Sequence, residues 1–509
     1  MAAGIGLLAA AAPVAQAEEP ASEPVPFVQA TFPDINRSKN RFAETPYAAL
    51  QGTQWYQFVE AQYKSSTESG TPPMPVIVQW PAILHQMDSA SMAMNLPMMM
   101  GDPSIGVWMR GAGTNELLPF MLAEVRNLQP VNGSDNTWHN DEITLTKGDN
   151  LLTFSHGAET LSEPTLTGDG DLLLEIDYEG FAEMIGSMGI DQKTIDMMKK
   201  VKLTMSLKLD PIGIRESVTT TGADDLSEMW SMASSVVAKP ELLESLPTDT
   251  LWAATTGLDT AAIDTFLDSK EVTEFLSTDA DIAQMNLMLS DWGLPDWKTM
   301  IGALGEDHLI YARQSVPFPA ITIALAIDAE IGSKVVTAIG TQAGWMDLGD
   351  SSYQGLLGMV PIYAGMDAGN LVLTTHPGGI ATHANRQAGF FDNPAVQDAL
   401  AEIPQDRQLQ LIGLSRSADW YGSIADIAAP LAASSGIPGL AMMGRDLRGV
   451  AKHGFVWSST DDKGNTQMES GGMLGGVMTQ TVGVASAVSL LFTAWSVRGP
   501  MMIDMDDAQ

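Results

Sequence analysis

The sequence predicts an α+β protein of two duplicated lobes, each a mainly antiparallel sheet with helices on one face. Three observations carry this expectation. Apolar segments alternate with period two, in pairs joined by Gly- or Asp-containing turns, which is the pattern of hairpins. Segments with helical spacing fall between those pairs without a regular βαβ alternation, which argues against a doubly wound parallel sheet. Similar segments recur in the same order in both halves of the chain, and self-similarity at a long period marks duplication.

The elements follow in chain order. Residues 2–14 (AAGIGLLAAAAPV) form an apolar run closed by Ala15-Gln16-Ala17, a small-x-small cleavage pattern. Residues 1–17 are therefore expected to be an export signal, although no basic residue precedes the run. Residues 18–41 are expected to be a disordered or extended mature N-terminus, because 18–26 (EEPASEPVP) are acidic and Pro-rich. The first lobe is expected over 42–240. Thr45–Leu50 (TPYAAL) leads into the helically spaced Trp55, Phe58 and Val59. Ile105–Arg110 precedes a helix near 115–129, where Pro119 fits only in an opening turn. Glu142–Thr146 and Asn150–His156 read as a hairpin, followed by Leu172–Ile176 and a helical Gly180–Met188. Lys202–Leu209 alternates strictly. Leu203, Met205, Leu207 and Leu209 face one side, and Lys202, Thr204, Ser206 and Lys208 the other, so one face is wet. Asp210–Gly213 turns this strand into Ile214–Thr221, and Asp225–Lys239 reads as a helix.

The second lobe, 241–498, repeats the order. Thr250–Thr255 matches Thr45–Leu50 at an offset of 205 residues. Ile321–Ile327 with a helix over 329–342 matches at 216, and Asn370–His376, preceded by Val360–Ala364, matches Asn150–His156 at 220. Leu409–Leu414 with Ala418–Ile427 matches at about 238, and the hairpin Gly454–Thr460 with Thr466–Ser470 at about 252. Offsets that only rise are what insertions into the loops of a duplicated domain produce. Gly471–Val497 carries no charge. Its place after the last hairpin makes it the counterpart of Asp225–Lys239, hence an apolar helix packed on its lobe. Its length would also span a bilayer, which leaves membrane contact open. Residues 499–509, with Asp504, Asp506 and Asp507, are an acidic tail.

The second lobe opens on Leu246-Pro247-Thr248-Asp249-Thr250, followed by the apolar Leu251–Thr255 and a helix starting near Asp259. Leu304-Gly305-Glu306-Asp307 then precedes the strand Leu309–Arg313, and Ala320–Asp328 precedes a helix. This order resembles the uncharacterised exported bacterial proteins grouped as domains of unknown function, in which an LPxDT opening begins such a lobe. The resemblance covers residues 240–430 and, more weakly, 42–240. It implies an exported cell-envelope protein and supplies no catalytic residues.

Composition narrows the function. Against 26 Lys and Arg stand 62 Asp and Glu, a net charge of −36. Phosphate recognition needs clustered cations, so nucleic acid is an unfavourable partner. With no Cys there is no disulfide, thiolate nucleophile, Cys-based metal site or lipid-modified cysteine. The seven His make no HExxH or HxH pattern, although His376 and His383 flank Gly378-Gly379, and His156 is the repeat counterpart of His376. Met92, Met94, Met98, Met99 and Met100 crowd one segment. Thioethers bind Cu(I), but they also fill irregular apolar surfaces, and the latter reading is adopted. Gly168-Asp169-Gly170-Asp171 is a turn lacking the other ligands of a calcium loop, and Gly413-Leu414-Ser415-Arg416-Ser417 lacks the second Gly of a nucleophile elbow.

The expectation is an exported periplasmic, envelope or secreted protein, without catalytic, metal or cofactor residues, that binds through an apolar cleft. Met92, Met94, Met98, Met99, Met100, His156 and His376 are its candidate lining. The partner is an apolar small molecule or an envelope protein. Two alternatives stand beside it. One is a hydrolase of an envelope polymer, using carboxylates that the sequence does not place. The other is a structural or interaction module without a pocket.

Overall fold

Every strand pairing is antiparallel, and the pairings join twenty strands into one sheet. The computed structural model describes residues 26–473 apart from internal stretches, the longer ones being 62–85, 96–102, 180–194, 223–236 and 269–279. The first ten strands are β1 (Val28–Phe32), β2 (Met87–Asn95), β3 (Ser104–Gly111), β4 (Gln129–Pro130), β5 (Thr137–His139), β6 (Ile143–Gly148), β7 (Leu151–His156), β8 (Leu172–Asp177), β9 (Lys202–Asp210) and β10 (Gly213–Thr221). The second ten are β11 (Thr250–Gly257), β12 (Leu304–Arg313), β13 (Ala320–Ile327), β14 (Met346–Gly349), β15 (Ser352–Leu357), β16 (Val360–Asp367), β17 (Asn370–Thr374), β18 (Leu411–Ser415), β19 (Gly454–Thr460) and β20 (Thr466–Gly472). The two sets meet where β10 pairs with β20. Outward from that joint one side runs β10-β9-β8-β1-β2-β3-β7-β6-β5-β4. The other runs β20-β19-β18-β11-β12-β13-β17-β16-β15-β14. Each strand of the second side thus takes the place of the strand ten earlier. The joint has the same symmetry, with Thr220 opposite Thr466 and Ile214 opposite Gly472 on either side of Ser217 opposite Glu469.

This topology corrects two matches made from sequence. The place of β11 is taken on the first side by β1, whereas Thr45 caps the helix Pro46–Gln51. The sheet therefore begins at Val28, followed by a helix over Ile35–Phe42, within the stretch expected to be disordered or extended. The second match is one residue out. The hairpin β6–β7 closes with Gly148 opposite Leu151, and β16–β17 with Asp367 opposite Asn370. Leu151, not Asn150, is the counterpart of Asn370. Asn150 (φ 55) holds the left-handed turn position that Gly369 (φ 87) holds in the other hairpin. The slip matters because one residue moves every side chain to the opposite face.

The two sides are covered differently. On the second side, the face bearing Leu371 packs against the helix Ala329–Gln342, through Val335 and Val336. The same face bears Trp252, Ala254 and Ala312, which pack on Trp420 of the helix Ser417–Ser434. Its other face carries Tyr311, Leu414 and Trp457 under Leu243, Phe390 and Val396, contributed by the helix Pro240–Glu244, a 3-10 turn at Phe390–Asp392 and the helix Pro394–Ala401. Helices on one face only was therefore too simple. Apart from the helix Pro240–Glu244, the second cover comes from residues 377–410 between β17 and β18, where the first side has only 157–171 between β7 and β8. Pro119 stands inside the helix Thr114–Glu124, beyond its opening turn. The helices expected at Gly180–Met188 and Gly475–Trp495 lie outside the described residues, as do most of Asp225–Lys239, the export signal and the acidic tail.

The turn at Gly168–Asp171 fastens the helix Ile35–Phe42 to the sheet. The buried Asp171 carboxylate accepts from Ser38 Oγ at 2.7 Å and from the Leu209 backbone N–H at 2.6 Å, with Arg41 at 3.4 Å. Asp169, exposed, pairs with Arg41 and Lys208, whose hydrogen bonds hold its carboxyl down at about 2. Asp171→Ala is expected to cost about 2 kcal/mol, because a buried backbone donor and a hydroxyl lose their acceptor. Asp169→Ala is expected to shift stability only slightly, as an exposed pair does. Urea melts of both variants check the ranking.

Candidate functional site

Cross-strand neighbours of the methionines build a continuous apolar surface. Met92 lies between Ala30 of β1 and Val107 of β3, and Val107 lies opposite Phe154 of β7. In the other direction Ala30 lies opposite Leu174, Leu174 opposite Met205, Met205 opposite Val218, and Val218 opposite Met468 of β20. A second row runs beside it, through His156, Ile105, Met94, Val28, Ile176 and Leu203. Residues directly opposite on an antiparallel pair share a face, so both rows lie on one side of the sheet. All of these side chains are half-buried except Ala30, which is buried. Of the equivalent positions on the second side, Ala254, Ile323, Leu373 and Val456 are buried to 4% exposure or less, while Ile310 and Ile321 are half-buried. Among the described residues, Leu117 and Leu118 of the helix Thr114–Glu124 cover the first side's apolar face at its outer end, over Leu145 and Leu152.

The candidate residues divide accordingly. Met92 and Met94 lie on this face, and His156 closes its second row at the end of β7. Met98, Met99 and Met100 lie outside the described residues. His376 follows β17, separated from β7 by twelve strands in the sheet order, so the strand order places it on the far side from His156. Ile105, Val107, Leu174, Met205 and Val218 were not among the candidate lining residues read from the sequence. The strict alternation of 202–209 put Leu203 and Met205 on one face, but only the cross-strand register joins that face to Met92 and Met94.

His383 is buried at 1% exposure and belongs to a polar chain in the second side's core. Its Nδ1 is 3.1 Å from the Tyr311 hydroxyl and its Nε2 3.2 Å from Arg386 Nη1. Arg386 can only donate, so Nε2 accepts and Nδ1 carries the proton toward Tyr311. Burial first, and the Arg386 charge second, pull the His383 pKa down to about 4. The Asp367 carboxylate stands 3.9 Å from Nε2. The arrangement fixes one neutral tautomer.

At the joint, Ser470 donates to the buried Glu216 at 3.0 Å. Tyr47 is raised to about 12, mainly by burial and then by Tyr421 and Glu216. Beside them a small cavity is lined by Ser415, Ser417, Tyr421 and the glycines 413, 454, 471 and 472. The two serine hydroxyls bond each other at 2.9 Å. Among the described residues the lining contains no His, Lys or carboxylate of the kind that serves as base to a serine nucleophile.

The LPTDT segment has a structural use. Asp249 accepts two hydrogen bonds from Arg313, at 2.9 and 2.8 Å, and the carbonyl of Thr248 accepts from Arg416 at 2.9 Å. The segment thus ties the start of β11 to both strands that flank it. Among the described residues no group of three or more His, Asp or Glu is placed to hold a metal ion, and no helix is long and apolar enough to cross a membrane. No family model, curated protein or solved structure matches the chain.

Proposed function

We propose that this is an exported binding protein that holds an apolar ligand against the methionine-bearing face of its first ten strands. One observation carries the reading: two adjacent rows of side chains across that face, apolar but for His156, are half-buried at every position but Ala30, while the counterparts Ala254, Ile323, Leu373 and Val456 on the second side are packed away. A contiguous apolar face that is only partly covered is a candidate binding surface. Methionine suits such a site, since its unbranched thioether adapts to ligands of varied shape. The opposite face is polar at Lys202, Thr204, Ser206 and Lys208, so the two faces of one sheet have separate tasks.

The two sides are read as duplicated lobes, one kept as a packed support and the other left open for binding. The repeated strand order and the symmetric register at the joint support this, as does the resemblance to exported proteins with LPxDT-opened lobes. A fluorescent apolar probe, N-phenyl-1-naphthylamine, should bind the full chain saturably. Val107→Asp should weaken that binding at least tenfold, by placing a carboxylate in the middle of the row. Absence of saturable binding, or equal binding by the variant, removes the proposal.

A further inference from the structure

The sheet ends differently on its two sides. The outer strand of the first, β4, has two residues, and Pro130 takes away one of their backbone donors. The outer strand of the second, β14, contains neither Pro nor Lys, exposes all four of its residues, and pairs among the described residues with β15 alone. Its turn into β15 is tight. Asp350 (φ 50) and Ser351 (φ 55) take two successive left-handed conformations between the paired Gly349 and Ser352. Apolar side chains gather at this same edge. Of the eight large apolar side chains exposed among the described residues, Met346, Leu348, Leu356 and Val360 lie on β14 to β16. Met346 stands opposite Gln354, and Gln354 opposite Tyr363, so Met346 and Leu356 share the face of Tyr363. Ile380 of the helix Gly379–Ala384 covers that face as far as Gly365 of β16, where an added Cβ would come within 2.7 Å of it. Beyond that cover Met346 is 59% exposed and Leu356 65%.

The geometry points to β14 as a docking edge for an extended, basic segment of another protein, added to the sheet as a further strand. Apolar residues of that segment would meet Met346 and Leu356, and the Lys or Arg residues between them would meet Asp347, which alternates to the opposite face. In strand addition the main chain supplies affinity and alternate side chains supply selection. Charge selects this occupant. Asp347 and Asp350 stand at the edge, and no Lys or Arg occurs in the sequence between Lys334 and Arg386. A second copy is disfavoured, because antiparallel pairing of two β14 strands would bring these aspartates together between chains that each carry a net charge of −36. The edge lies at the outer end of the second side, away from the methionine rows of the first, so this inference does not depend on the ligand reading above.

A fluorescein-labelled peptide of alternating Lys and Val tests the inference on the full chain by fluorescence anisotropy. It should bind saturably, whereas peptides of alternating Lys and Ser, or of alternating Glu and Val, should bind at least tenfold more weakly. Met346→Lys/Leu356→Lys changes two exposed side chains and adds the residue that blunts natural sheet edges. It should weaken binding of the Lys and Val peptide at least tenfold. Asp347→Asn, which keeps an acceptor for the Gly349 backbone N–H, should weaken it severalfold. Failure of the Lys and Val peptide to bind overturns the inference. Equal binding by the wild-type chain and the double variant also overturns it, because the peptide is then held by the general acidity of the chain. A dimer in sedimentation equilibrium that the double variant dissociates overturns it as well, by assigning the edge to a second copy.

Discussion

Arg215→Met is expected to destabilise the protein by about 3 kcal/mol. Arg215 rises from β10 at the joint and meets three carboxylates. It donates to Glu469 at 2.7 Å, to Glu402 at 3.0 Å and to Asp210 at 3.2 Å, and its guanidinium lies 5.1 Å from the centre of the Phe455 ring. Burial works against its charge, yet the hydrogen bonds to Glu469 and Glu402 outweigh that cost and hold its pKa above the ordinary value. Methionine keeps most of the volume, so the cost is electrostatic. Three partly buried acidic groups lose their shared cation and face one another. Breaking such a network costs more than its net worth when intact, because the remaining charges are left uncompensated. Urea melts should show a lower midpoint with little change of slope. Adding Glu402→Gln and Glu469→Gln should restore part of the loss. If Arg215→Met alone is neutral, the joint is held by its backbone ladder and not by this cluster.

That cluster shows where a sequence stops being legible. Arg215 and Glu469 stand 254 residues apart and Arg215 and Glu402 stand 187 apart, so no local pattern connects them. The hairpins were legible because period-two alternation and turn residues are local. The strands Gly454–Thr460 and Leu172 onward, and the helix Ala329–Gln342, fall where the spacing put them. β1 was hidden because VQATF follows directly on an acidic, Pro-rich stretch and has only five residues in which to show a period. The match of Asn150 with Asn370 failed for a related reason. Asn is favoured both in a left-handed turn and at a strand end, so identical letters marked different backbone positions. Met92 and Met94 were visible as composition. The surface around them needed the cross-strand register, which places Val107, Leu174 and Met205 in line from strands far apart in sequence.

His383 should make stability depend on pH in a window that carboxylates do not share. Its folded-state pKa is about 4, against 6.5 for an unperturbed imidazole. The unfolded chain therefore takes up a proton first as pH falls. The contribution of this group to stability is complete above about pH 6.5, is lost as pH falls toward 4, and levels off below that. The total is about 3 kcal/mol, because each tenfold difference in proton affinity between the folded and unfolded chain is worth roughly 1.4 kcal/mol. The physical cause is that Nε2 already accepts from Arg386, so a second proton would have to sit against a guanidinium in a buried core. Urea melts at pH 7.5, 6, 5 and 4.5 should show a steeper fall for the wild-type chain than for His383→Gln. Gln can keep a donor toward Tyr311 and an acceptor toward Arg386 without titrating. Equal slopes for wild type and His383→Gln would mean that the buried chain from Arg386 to Tyr311 rearranges to admit the proton. The acid sensitivity of the fold would then have to come from its carboxylate pairs at lower pH.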